Sequence, residues 1–106
     1  MRGPIAFEAE TPLGFTVRCT AAYWEFISTI KHPVMAGRMA DVIAALSDPD
    51  EIRQSRKDAG VLLFYQGGPP RWVCGVCRRD DGSGFLITAY PTDAIKAGET
   101  IWKKSR

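Results

Sequence analysis

No stretch of this sequence stays apolar for the roughly 20 residues that a membrane-crossing helix requires. Its opening, MRGPIAFEAE, lacks the apolar centre of a secretory signal. The expected location is the cytoplasm, with no membrane partner. Cysteine is scarce and odd in number, three in all: Cys19, Cys74 and Cys77. Such usage argues against a disulfide framework and for reduced core residues. Glycine never falls into GxGxxG, and the GGPP of 67–70 reads as a turn, so no phosphate-cradling loop is expected. No carboxylate pair marks a strand end, because the acids sit mostly in turns and helix-capping positions. Charge of one sign is not in excess either: 14 Lys and Arg stand against 12 Asp and Glu, a net +2. No repeat or low-complexity tract occurs, and no cofactor or metal is expected.

What remains is an ordinary globular composition, 106 residues with 45% hydrophobic side chains. That length suits one domain, 1–106, with a single core. IAFEAETPLGFTVRCT alternates apolar and polar residues around a TPLG turn, so 1–19 is expected to hold a hairpin. Thr20 is placed to cap a helix through AAYWEFISTIK, which His32-Pro33 interrupts. A second helix is expected over 36–46, stopped by Asp48-Pro49-Asp50. Residues 51–57 are open between strand and irregular chain. VLLFYQ (61–66), RWVCGVCRR (71–79) and FLITAY (85–90) read as strands separated by turns. The expected fold is α+β: an antiparallel sheet of four to six strands, with one or two N-terminal helices packed on one face.

Several side chains could carry chemistry. His32, the only histidine, stands at a helix break, where it could act as general acid or base near neutral pH. A helix-end histidine bonding a carbonyl is the plainer alternative. The segment IRQSRKD offers Arg53, Arg56 and Lys57 as phosphate holders, with Ser55 among them. Such a run is otherwise a solvated charged edge. Thr88, Tyr90 and Thr92 put hydroxyls at a spacing of two, and Tyr65 ends the preceding LLFY strand. These hydroxyls could converge on a phosphate, although Thr and Tyr are also simply good strand formers. CGVC invites a zinc or redox reading together with Cys19 and His32. In a continuous strand, however, Cys74 and Cys77 point to opposite faces, and no helix opens after them, so neither is expected. Cations between 53 and 79 and again near the C-terminus could form a basic face.

Taken in order, KHP at a helix end, ALSDPDEIRQSRKD, LFYQ, WVCGVCR and FLITAYPTDAIKAGETIW resemble small prokaryotic and phage proteins grouped with the barnase–EndoU–colicin–RelE nucleases. The narrower likeness is to a family with a His-Pro, an I-x-x-S-x-x-D segment and a T-A-Y strand followed by K-x-G. It runs from Trp24 to Trp102, within a nuclease-like core over 20–102. The resemblance implies a RelE-like fold and a metal-independent ribonuclease, a hydrolase-class nuclease that attacks RNA through the ribose 2′-hydroxyl. It further implies His32, Ser55, Tyr65, Thr88 and Tyr90 as catalytic residues, and Arg56 or Lys57 and Lys96 as substrate-binding ones, to which the charged run adds Arg53. RNA, tRNA or mRNA, is then the substrate. A toxin role, a cognate antitoxin and a homodimer stand as options. The net charge of +2 supplies little non-specific RNA affinity, so a non-catalytic protein- or nucleic-acid-binding domain on the same scaffold is the alternative.

Overall fold

The computed structural model describes residues 3–105. Met1, Arg2 and Arg106 lie outside them, and with them the two ends of the expected domain and the last cation of the expected basic face. The chain opens with strands β1 (Ile5–Glu10) and β2 (Thr16–Thr20), which pair antiparallel as the alternation of Phe7, Ala9, Val17 and Cys19 requires. Thr20 then caps helix α1 (Ala21–Phe26): its side-chain oxygen accepts from the Tyr23 backbone N–H at 3.1 Å. The helix does not run on as a regular α-helix. It widens into a π-turn over Ile27–Lys31, where the His32 N–H donates to the Ile27 carbonyl at 2.8 Å. Pro33 starts a single 3-10 turn, Pro33–Met35.

Helix α2 (Met39–Ser47) follows, with Asp41 in its first turn, where the N-terminal end of the helix dipole favours a carboxylate. Val42, Ala45 and Leu46 recur at helical spacing and are buried. Asp48 and Pro49 end it, as expected. The rest of the chain is strand: β3 (Glu51–Gln54), β4 (Val61–Gln66), β5 (Trp72–Asp80), β6 (Ser83–Thr92) and β7 (Glu99–Lys103).

All seven strands join one sheet in the order β1-β2-β6-β5-β4-β3-β7. The fold is α+β, with both helices packed on the sheet. It has one strand more than the expected range, because ETIWK at 99–103 pairs antiparallel with β3. It is also mixed rather than wholly antiparallel: β2 lies parallel to β6 over Thr16–Arg18 and Ser83–Phe85. The N-terminal hairpin is thus part of the sheet.

The main core lies between the helices and one sheet face. Trp24, Ile27, Met35, Val42 and Leu46 meet Phe7, Val17, Phe64, Ile52, Cys77 and Leu86 there. Each such fully buried large side chain contributes on the order of 1.5–3 kcal/mol through burial. A second, smaller cluster forms on the opposite face from Leu63, Tyr65, Cys74 and Val76, with Ile87, Tyr90 and Ile95 against it. Cys74 and Cys77 therefore do point to opposite faces. All three cysteines are free and buried, and burial pushes the Cys19 thiol up to about 11 and the Cys74 and Cys77 thiols to about 12. Among the described residues no His, Cys, Asp and Glu side chains group as a metal site would need. No helix among them is long and apolar enough to cross a membrane.

Candidate active site

The second sheet face collects most of the polar candidates, and strand register explains how. Tyr65 lies opposite Cys74, and Cys74 opposite Tyr90, so the two tyrosines flank one thiol across three strands. One side-chain row along, Arg53, Leu63, Val76 and Thr88 line up in the same way. A bulge makes this possible. Val76 pairs with Thr88 but Cys77 pairs with Leu86, which leaves Ile87 as an extra residue in β6. Leu86 can then enter the helix-side core while Thr88 and Tyr90 serve the other face.

The bulge also docks the helical segment. The Ile87 carbonyl accepts from the Tyr23 hydroxyl at 2.8 Å and from Lys31 Nζ at 3.2 Å. Beyond Phe85, β6 has no pairing with β2, and this part of the strand is where the π-turn packs. The result brings half-buried His32 against Tyr90, with ring centroids 5.5 Å apart. A π-turn at this point is notable, since such turns frequently accompany functional sites.

Burial first, and then the Cys74 thiol, push the Tyr65 and Tyr90 hydroxyls above the ordinary phenol range. Both therefore stay protonated at neutral pH, with Tyr90 half-buried and Tyr65 only 2% exposed. The Thr88 hydroxyl oxygen is buried and has no hydrogen-bond partner among the described residues. An orphaned buried hydroxyl costs about 1–3 kcal/mol, and because its oxygen is shielded from solvent a ligand oxygen meets it only if the face around it opens. The third hydroxyl of the row is spent locally: Thr92 Oγ1 donates to the Ala94 carbonyl and accepts from its N–H.

Arg53 borders the tyrosines. Its Nε donates to Glu51 Oε2 at 2.8 Å, and one terminal nitrogen donates to the Gly98 carbonyl at 3.1 Å. Glu51 is itself buried beneath Thr100, whose hydroxyl donates to the same oxygen at 2.6 Å. Burial opposes ionisation of Glu51, but the Thr100 hydrogen bond and the Arg53 ion pair outweigh it and hold the carboxyl below the usual range. Gly98 closes this clasp with φ +79, so close to β3 that a Cβ would collide with the Gln54 carbonyl. The sequence reading missed Glu51 and Thr100. Nothing local marks them, because their meeting depends on β3 pairing with β7.

The other candidates stand apart. Ser55 immediately follows β3, four residues along from the Glu51–Tyr65 row, about 13 Å at strand rise. Its hydroxyl accepts from the Lys57 N–H at 3.2 Å, a turn contact. Arg56 and Lys57 are exposed in that turn, and Lys96 is exposed on the segment whose Ile95 packs on the second cluster. The expected basic face is partly neutralised, since Arg78 pairs with Asp58 at 2.6 Å and Lys104 with Asp48 at 2.9 Å. A concavity of about 870 Å³ between β2, β6 and α1 is lined by Ile5, Tyr23 and Phe85 among others, and His32 is not part of its lining. No family model matches the chain, and no curated protein or solved structure is significantly similar to it.

Proposed function

We propose that this protein is a metal-independent endoribonuclease whose reacting group is His32 with Tyr65, Thr88 and Tyr90, and with Arg53 at its border. The observation that carries the reading is the contact of the only histidine with Tyr90, within a face that also holds the unpartnered Thr88 hydroxyl. Histidine is the side-chain type that exchanges a proton near neutral pH. It takes the proton of the ribose 2′-hydroxyl as the 2′ oxygen bonds to phosphorus. The bond from phosphorus to the 5′ oxygen breaks, and that oxygen receives a proton from a tyrosine hydroxyl. Solvent returns the protons afterwards. The products are a 2′,3′-cyclic phosphate and a 5′-hydroxyl end. Thr88, the second tyrosine and the Arg53 guanidinium donate to the phosphorane oxygens, where charge develops, once this buried face opens to admit the phosphate. Lys96, Arg56 and Lys57 contribute long-range attraction for the strand, and Ser55 takes no part in the reacting group.

The test is cleavage of total tRNA and of a structured messenger fragment by purified protein in EDTA, beside His32→Ala. Cleavage with cyclic phosphate ends that disappears in the variant is expected. Absence of cleavage by well-folded protein, or full activity of the variant, overturns the reading.

A second reading has its own support. Phe26, Ile30 and Val34 are exposed on the segment that carries His32, an apolar surface suited to a protein partner. A non-catalytic binding domain, or an enzyme held by an antitoxin, would use it. Loss of partner binding on Ile30→Asp without loss of cleavage would separate the two roles.

A further inference from the structure

A second concavity adjoins the proposed site and is unused by the reaction. It measures about 390 Å³ and lies where the ends of β4, β5 and β6 meet the start of α2. That is within the roughly 300–1,000 Å³ of small-ligand clefts. Its walls are near the reacting residues in the chain: Val34 lies two residues after His32, and Pro91 follows Tyr90 in β6, facing the helix side of the sheet end. Trp72 belongs to both places. It lines the groove and also packs on the cluster that holds Tyr65 and Cys74.

The groove's chemistry is that of an anion with a flat ring. Arg71 is exposed and makes no ion pair or hydrogen bond with any described residue. Arg38 uses its Nε on Asp41 at 2.8 Å, which leaves its two terminal nitrogens for a ligand. The Trp72 indole is held by the loop beside it, because Gly68 lies so close that any Cβ would collide with the ring. A fixed, half-exposed indole next to two guanidinium groups suits a nucleotide: the base stacks, and the phosphate takes the forked donors.

We infer that this groove holds the nucleotide next to the scissile phosphate, with Arg71 and Arg38 on its phosphate and Trp72 against its base. The inference rests on the ribonuclease reading, and it names where the substrate strand runs after leaving His32. Single-stranded RNA is the favoured ligand, since a paired base could not lie against the indole.

The test uses the intact protein labelled with nitrogen-15 and a six-residue 2′-O-methyl oligoribonucleotide of mixed sequence, which has no 2′-hydroxyl to react. The Trp72 indole N–H and Arg71 Nε–H signals are expected to move on titration. Arg71→Ala should weaken binding about fivefold or more and reduce the salt slope by about one, and Arg71→Lys should restore part of the loss. Signals that stay still while the oligonucleotide binds elsewhere, or Arg71→Ala that binds like the parent, overturn the inference. So does an oligonucleotide that does not bind at all. Cleavage of natural RNA with cyclic phosphate ends reports separately on the catalytic reading. Groove binding without cleavage would therefore remove the enzyme and keep the nucleotide site.

Discussion

The imidazole of His32 and the ring of Tyr90 stand 5.5 Å apart, with their planes tilted by 44°. The Tyr90 hydroxyl has a role of its own in the proposed reaction, so ring and hydroxyl can be tested apart. Tyr90→Phe keeps the ring that His32 leans on and removes only the donor. Loss of one donor to a developing oxyanion typically costs about 10²–10³ in kcat. Tyr90→Phe is expected to lose activity on that scale, at the lower end, with little change in KM or thermal stability. Single-turnover RNA cleavage with melting curves checks this. Unchanged kcat would remove the hydroxyl from the mechanism.

Thr88 offers a sharper contrast. Its hydroxyl oxygen is buried without a partner, so Thr88→Val removes an unsatisfied polar atom while keeping the shape. Stability is expected to rise by about 1 kcal/mol, and cleavage to fall. Urea unfolding and cleavage rates measured on one preparation decide. A variant that is less stable than the parent would mean that the hydroxyl is satisfied in solution.

Glu51 makes acid stability a readout of the Arg53 clasp. The folded chain holds this carboxyl below the ordinary glutamate value of about 4.5, so the folded state binds the proton less readily than the unfolded one. The resulting stabilisation is present above about 4.5 and is lost as pH falls through the lower folded value. Thr100→Val removes the hydrogen bond to Glu51 Oε2. It should cost about 1 kcal/mol at neutral pH and move the acid unfolding midpoint upward. Denaturant titrations at descending pH report both quantities. A midpoint that stays in place would show that Thr100 does not hold Glu51.

Ser55 is expected to be dispensable for chemistry. Its hydroxyl caps the Lys57 N–H in the turn after β3, two side-chain rows from the tyrosines. Ser55→Ala should alter cleavage by less than about threefold and stability by no more than about 1 kcal/mol, the worth of one exposed turn hydrogen bond. A loss like that of His32→Ala would bring Ser55 back into the reacting group.

The histidine at the helix break, the shared face of Thr88 and Tyr90 and the place of Tyr65 near the end of β4 were all legible in the chain, because each is a short-range property. Spacing of two puts Thr88 and Tyr90 on one side of any strand. A His-Pro step breaks any helix, since proline restricts the residue before it. That His32 reaches Tyr90, however, depends on the Ile87 bulge and on the Tyr23 and Lys31 donors that hold its carbonyl. Residue types alone carry no sign of such a bulge.

The same division runs through the whole fold. VLLFYQ is β4 from end to end, Thr20 caps α1, and Asp48-Pro49 stops α2, because backbone preference and hydrogen bonding within a few residues suffice for each. Strand β7 was invisible. Glu99, Thr100, Ile101 and Lys103 are exposed and only Trp102 is partly buried, so no alternation announces it, and ETIWK is a strand only because β3 supplies its hydrogen bonds. The parallel β2–β6 pairing and the Glu51–Thr100–Arg53 clasp likewise join segments far apart in the chain. Local sequence sets which backbone shapes are cheap. Which distant segments then meet is settled by burying two faces of one sheet at once, and that competition involves every residue together.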